Sequence, residues 1–197
     1  NHAIVMQDAE MENTVNALIG AAFGSSGERC MAISVAVAVG SGTADSLIAG
    51  LKSKMHDLKV GNFDNTNNDF GPLITKEHME KVKHYISSAE EQGADIVVDG
   101  RSVDVKGCEN GFYVGGTLID SVEASMESYK NEIFGPVLQV VRVETMQDAI
   151  DLIDEHEYGN GTCIFTRDGE AARYFSDQIK VGMVGINVPL PVPAAQH

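Results

Sequence analysis

Between Thr14 and Phe23 the apolar residues Val15, Leu18, Ile19, Ala22 and Phe23 recur at about the 3.6-residue period of a helix with one buried face, and Gly24 ends the run. From Ile33 to Val39 the pattern changes. Valines alternate with Ala and Ser until Gly40, Ser41 and Gly42 break it, which predicts a buried strand. Ala44 to Leu58 returns to helical spacing, with Leu47, Ile48, Leu51, Met55 and Leu58 on one side and Lys52, Lys54, His56 and Asp57 largely elsewhere. The polar stretch Gly61 to Asp69 reads as a surface loop. Thr75 is placed to cap a helix from Lys76 to Gln92 whose inner stripe is Met79, Val82, Tyr85, Ile86 and Ala89, and Gly93 ends it.

The second half alternates in shorter pieces. Strands are expected at Asp95 to Val98 and Phe112 to Ile119, separated by turn residues that include Gly100, Gly107 and Asn110. A strongly apolar strand follows at Val137 to Val143, then a helix at Gln147 to His156, a strand at Thr162 to Thr166, a helix at Glu170 to Ile179 and a strand at Val184 to Val188. Helices alternating with short apolar strands predict an α/β fold: a mainly parallel twisted sheet with helices on both faces. In such sheets binding sites gather in loops beyond the carboxyl ends of the strands, and the site is expected there.

Composition narrows the function. A chain of 197 residues is long enough for one sizeable core, and residues 1–197 read as one domain. A formal net charge of −15 argues against nucleic acid or an anionic membrane surface, both of which need clustered Lys and Arg. No apolar run reaches membrane-spanning length, and Asn1 to Glu10 resembles neither a signal peptide nor a transit peptide. The cysteines Cys30, Cys108 and Cys163 are odd in number, widely spaced and lack a Cys-x-x-Cys pair, so neither a disulfide framework nor a zinc cluster is indicated, and a reducing compartment fits. The first residue is not Met and the last seven run from Pro191 to His197; both ends read as cuts through a longer protein.

Chemistry concentrates in two short runs. The first is Phe23, Gly24, Ser25, Ser26, Gly27, Glu28, Arg29, Cys30, Met31, Ala32. By itself a free cysteine is a small buried hydrophobe. Here the flanking Gly and Ser make a loop, and Arg29 is costly to bury unpaired, which favours an accessible thiol whose thiolate a neighbouring cation stabilises. The second run is Asn131, Glu132, Ile133, Phe134, Gly135, Pro136, just ahead of the apolar strand. Its carboxylate suits a pair of ribose hydroxyls and its ring suits a planar ligand, although a solvated Glu and a core Phe at an ordinary turn would read the same way.

Together the two runs resemble the cysteine and cofactor signatures of the aldehyde dehydrogenase superfamily. Further segments are similar to its acylating branch, the methylmalonate semialdehyde dehydrogenases: Asn1 to Met6, Gly27 to Ala32, Tyr158 to Thr162, and Val184 to Pro193. The resemblance implies Cys30 as the nucleophile that traps an aldehyde, with its own backbone N–H as one oxyanion donor. It implies Glu132 on the nicotinamide ribose, Phe134 near the nicotinamide, and Arg29 on a substrate carboxylate through paired donors. NAD would be the cofactor and coenzyme A the acyl acceptor, with a small carboxylated aldehyde as substrate. The full-length enzyme would be a homo-oligomer, dimer or tetramer, in bacterial cytoplasm or a mitochondrial matrix.

The resemblance also implies what this chain does not carry. The family's dinucleotide-binding domain, a second oxyanion donor and the general base position would lie upstream of Asn1, and an oligomerisation strand past His197. There is no Gly-x-Gly-x-x-Gly. Gly115, Gly116, Thr117 replaces the family's usual Gly-Pro-Thr, which is expected to loosen that strand's beginning. Two other readings stay open: a cysteine hydrolase pairing Cys30 with a distant His, and a catalytically incompetent piece that only packs against partners. Asp69, Phe70, Gly71 copies a kinase tripeptide without the accompanying kinase motifs and reads as chance. His78 and His84 read as a solvated helix face, and Cys108 and Cys163 as structural thiols.

Overall fold

A strand covered on both faces has no polar side to show, and Val35–Val39 is buried at all five positions. In the computed structural model, which describes residues 1–190, this strand is β2 of one seven-stranded sheet. Its companions are β1 (His2–Val5), β3 (Asp95–Val98), β4 (Thr117–Asp120), β5 (Val137–Val143), β6 (Thr162–Phe165) and β7 (Val184–Ile186), in the order β3-β4-β5-β2-β1-β6-β7. Every neighbouring pair is parallel except β3 with β4, so the one antiparallel strand stands at an edge. The expected α/β architecture is observed.

Among the described residues six α-helices flank the sheet: α1 (Met11–Phe23), α2 (Thr43–Met55), α3 (Lys76–Glu91), the single turn α4 (Glu127–Lys130), α5 (Met146–Asp154) and α6 (Gly169–Gln178). Successive strand side chains point to opposite faces, and the core divides accordingly. Ile4, Val35, Val37 and Val39 pack with Val82 and Ile86 of α3, Ile150 of α5 and Phe175 of α6. Ala3, Val5, Ala36 and Ala38 pack with Leu18 of α1 and Leu47 and Leu51 of α2. Alanines on that second face let α1 and α2 approach closely. Gly50 lies so near α1 that a Cβ there would come within 2.8 Å of Val15.

Capping chemistry decides several boundaries. Helix α3 begins where Thr75 accepts from the His78 N–H at 3.1 Å. Helix α1 starts three residues earlier than its apolar stripe suggests, because the Glu10 carboxylate accepts from Asn13 N–H at 2.8 Å. Helix α5 is closed by a capping box in which Thr145 and Asp148 bond each other's backbone N–H.

Four expectations need correction. Strand β1, absent from the sequence reading, lies near the centre of the sheet between β2 and β6; its four residues are too few to show a period. Residues Phe112 to Gly116 are not strand: Gly115 donates to the Gly100 carbonyl at 2.8 Å and the Phe112 carbonyl accepts from Leu73, so β4 begins at Thr117. Gly116 is not a loose point but sits where a Cβ would lie 3.2 Å from Met55 and 3.4 Å from Phe23. Strand β7 stops at Ile186 because Asn187 turns left-handed, with φ +55°, and its side chain accepts from Thr166 N–H at 2.9 Å. Pro191 to Pro193, part of the resemblance noted above, lie outside the described residues.

Candidate active site

Helix α1 ends at Phe23 and the chain then makes an unusual turn. Ser25, Ser26 and Gly27 are all left-handed, at φ +54°, +57° and +70°. Left-handed backbone is routine for Gly and costs a non-glycine residue about 1 kcal/mol or more, so two serines in succession require anchoring. Ser26 supplies some of it by donating to the Gly71 carbonyl at 2.8 Å. A tight turn from Arg29 to Ala32, closed by a 3.0 Å backbone bond, then carries Cys30 to the surface.

Two side-chain amides hold that turn. Asn1 Nδ2 donates to the Cys30 and Ala32 carbonyls at 2.9 and 2.8 Å, and Asn160 Nδ2 donates to the same Cys30 carbonyl at 2.9 Å. Asn1 immediately precedes β1 and Asn160 lies just before β6, so β1, the neighbour of β2, and β6 on its far side clamp the loop that leads into β2. The Cys30 amide donates to no backbone oxygen among the described residues, which leaves its N–H available. The sequence gives neither asparagine a role; both stand in segments that resemble the family, Asn1 to Met6 and Tyr158 to Thr162, with nothing to single them out.

The second loop meets the first at a pair of glycines. A Cβ on Gly27 would stand 2.1 Å from the Gly135 carbonyl oxygen, and one on Gly135 would stand 2.7 Å from Val82 of α3. The cysteine loop and the Glu132 loop therefore touch backbone to backbone, and the Val82 side chain of α3 packs on the second of them. Phe134 is left-handed at φ +57° and its residue surface is 36% exposed. His84 does face solvent, its side chain 64% exposed, but the expectation fails for His78 at 16%: its Nε2 donates to the Phe134 carbonyl at 2.6 Å. Helical spacing shows which side of α3 a residue occupies, not that a distant loop folds over it.

These loops enclose an open cleft of about 230 Å³ that brings together Arg29, Cys30, Glu132 and Phe134. It lies at the amino ends of β1, β2, β5 and β6, not beyond the carboxyl ends as expected. The carboxyl-end rule follows from helix N-termini that leave those ends and aim backbone donors at a ligand. Here the long loops that carry the reactive side chains lead into strands, so side chains rather than helix ends furnish the cleft.

Its electrostatics are simple. Arg29 and Glu132 are the only Asp, Glu, Lys or Arg side chains that line it, and neither forms an ion pair among the described residues. Aromatic, imidazole and amide groups furnish the inner wall. Burial pushes the His2 imidazole well below the usual histidine range and the Tyr129 phenol well above its own, and His2 Nε2 lies 3.0 Å from the Tyr129 hydroxyl. His156 Nε2 donates to the Tyr129 carbonyl at 3.0 Å while its Nδ1 accepts from Tyr158 N–H at 3.2 Å, which fixes its neutral tautomer. Gln139 Nε2 donates to the Ser128 carbonyl at 3.0 Å and ties β5 to α4. Of the three thiols only Cys30 is exposed; burial in β6 pushes Cys163 up to about 12, and Cys108 is half-buried in a turn.

The sequence profile of the aldehyde dehydrogenase family matches residues 1–197. The chain is 60% identical, over its full length, to malonate-semialdehyde dehydrogenase of Pseudomonas aeruginosa, of which it covers 40%. It is 49% identical over 189 residues, 96% of the chain, to the mitochondrial acylating methylmalonate-semialdehyde/malonate-semialdehyde dehydrogenase of Bos taurus, covering 35% of that protein. A crystal structure of a Sinorhizobium meliloti protein assigned as a methylmalonate-semialdehyde dehydrogenase, complexed with NAD, superposes with a TM-score of 0.96 at 52% identity, over 98% of this chain and 39% of that one. The chain thus spans 35–40% of the length of these relatives.

Proposed function

Since the chain belongs to the aldehyde dehydrogenase family, we propose that it is the cysteine-bearing catalytic domain of a larger NAD-dependent, coenzyme A-acylating enzyme. Its substrate would be malonate or methylmalonate semialdehyde, converted to acetyl-CoA or propionyl-CoA. The observation that carries this reading is the convergence of Cys30, Arg29, Glu132 and Phe134 in one cleft, from loops far apart in the chain. The activities for which the relatives are named agree with it.

In this reading the Cys30 thiolate attacks the aldehyde carbon. A C–S bond forms and the carbonyl π pair moves to oxygen, where the unengaged Cys30 N–H donates. NAD, when bound, supplies the hydride acceptor that leaves a thioacyl group on Cys30. The cleft fits the reactive end of that cofactor: Glu132 is an exposed carboxylate without an ion-pair partner among the described residues, suited to a vicinal diol, and Phe134 presents an exposed ring. Binding of the adenosine half is assigned to the rest of the enzyme. Arg29 grips the substrate carboxylate; when the C–C bond to it breaks, the electron pair passes into the thioester as an enolate that takes a proton at carbon, carbon dioxide (or, with water, bicarbonate) leaves, and the acyl group passes to the coenzyme A thiol with Cys30 as leaving group.

A cysteine hydrolase is the weaker reading. It needs a histidine free to accept the thiol proton, and His156 has both ring nitrogens engaged by backbone groups while His2 Nε2 is taken up by Tyr129. No helix among the described residues is long and apolar enough to cross a membrane.

The test uses the full-length enzyme with malonate semialdehyde and NAD but no coenzyme A. Mass spectrometry should find an acyl adduct on the peptide that contains Cys30, discharged when coenzyme A is added. An adduct on another residue, or turnover without NAD, overturns the proposal. Specificity gives a second expectation: Arg29→Leu should reduce kcat/KM for carboxylated aldehydes about 10- to 100-fold, the loss expected for hydrogen bonds to a charged group. Uncharged aldehydes should change little; equal losses on both would remove Arg29 from the substrate site.

A further inference from the structure

Phe134 needs an explanation that its own loop does not provide. A bulky aromatic residue at φ +57° is a backbone outlier, and such conformations persist where surrounding contacts hold them. The Phe134 carbonyl points to α3, where His78 Nε2 donates to it at 2.6 Å. The imidazole also stands edge-on to the Phe134 ring, with centroids 6.4 Å apart and planes at 64°. His78 is itself fixed at the first turn of α3, its backbone N–H accepted by Thr75 Oγ1. The same Nε2 lies 3.5 Å from Glu28 Oε1 in the cysteine loop, and that carboxylate accepts from Ile74 N–H at 3.3 Å just ahead of α3. One turn along the helix, Val82 packs on Gly135.

We propose that His78 is a positioning residue that holds Phe134 in its left-handed conformation, and so sets the ring that the cofactor meets, while tying that loop to Glu28 of the cysteine loop. The proposal rests on the reading of Phe134 as a nicotinamide contact. Helix α3 takes no part in the cleft lining, so any effect of His78 on the cofactor passes through Phe134. Without the bond, Phe134 relaxes toward the extended region that its side chain prefers, and the ring leaves its place. A glycine at 134 adopts either conformation at little cost and has no ring to place.

The experiment is a double-mutant cycle in the full-length enzyme, with NAD affinity and thiol labelling of Cys30 as readouts. His78→Ala should raise the Kd for NAD about fivefold in the presence of Phe134 and leave it unchanged in a Phe134→Gly background. His78→Gln, which keeps an N–H donor on a side chain of similar reach, should restore most of the affinity. Labelling of Cys30 without NAD should stay near the wild-type rate in all variants. If His78→Ala weakens NAD equally in both backgrounds, or not at all with Phe134 present, the positioning role is overturned. If Phe134→Gly by itself leaves NAD affinity unchanged, it is the assignment of Phe134 to the cofactor that fails, a separate outcome.

Discussion

Replacing Cys30 by Ala in the full-length enzyme should lower kcat/KM by a factor on the order of 10⁴ or more, because removal of a nucleophile abolishes the covalent step and leaves only binding and oxyanion contacts. The fold should not notice. What is anchored in this turn is the Cys30 carbonyl, held by Asn1 and Asn160, and Ala keeps that carbonyl. Its exposed side chain has no packing to lose, so the melting temperature should stay within the scatter of a surface substitution, about 0.5 kcal/mol in stability. Thiol labelling at neutral pH gives an independent check. Iodoacetamide should modify Cys30 in the parent and very little in the variant, since burial keeps Cys163 protonated and enclosed. Undiminished labelling located at Cys108 or Cys163 would show that Cys30 is not the reactive thiol.

The second large effect is expected at a residue with no chemistry. Gly27→Ala places a methyl group where the Gly135 carbonyl oxygen stands 2.1 Å away, on a backbone at φ +70°. The left-handed conformation costs an alanine about 1 kcal/mol, and overpacking against backbone adds about 1–3 kcal/mol, since a carbonyl cannot swing aside as a side chain does. A loss of about 2–4 kcal/mol is expected, visible as a clear drop in melting temperature. Activity should fall further than stability. Relief of the clash must separate the loop that carries Cys30 from the loop that carries Glu132 and Phe134, and small misplacements of reacting groups are costly. A variant as stable and active as the parent would mean that this contact does not set the distance between the two loops.

The strands and helices with a clear period were legible in the sequence, and Val137–Val143 and Asp95–Val98 are found with the expected ends. What escaped has physical reasons. Strand β1 is short and buried on both faces, so it shows neither alternation nor length. The glycines at 27 and 135 are visible as letters, but their mutual contact is a tertiary fact that no local pattern encodes. His78 sits among charged neighbours on a helix, the ordinary signature of a wet face, and becomes partly buried because the Phe134 loop folds over it. The site's side of the sheet was misjudged by applying a rule about helix N-termini to loops that precede strands. The identities of Cys30, Arg29, Glu132 and Phe134 came through two short runs of sequence, and the cleft brings those four side chains together.

The pairing of β2 with β5 has a consequence for how such a protein drifts over time. Val35 is registered on Gln139, and the two loops in question run straight into these neighbouring strands. Their spacing is thus inherited from a ladder whose rungs are about 4.8 Å wide, and a slip of one residue would displace Glu132 from Cys30 by about 3.3 Å. Much of the chain between the two strands is tied to this geometry as well, through Gly71, α3 and β4, but its most exposed loops are not. Its polar loop at 61–69 and its turns at 100–111 are free to lengthen, shorten or change composition across lineages without retuning the distance between nucleophile and carboxylate. Selection on this geometry falls on the ladder positions together with the Gly27–Gly135 contact and the α3 residues behind it, and a family can diversify around them.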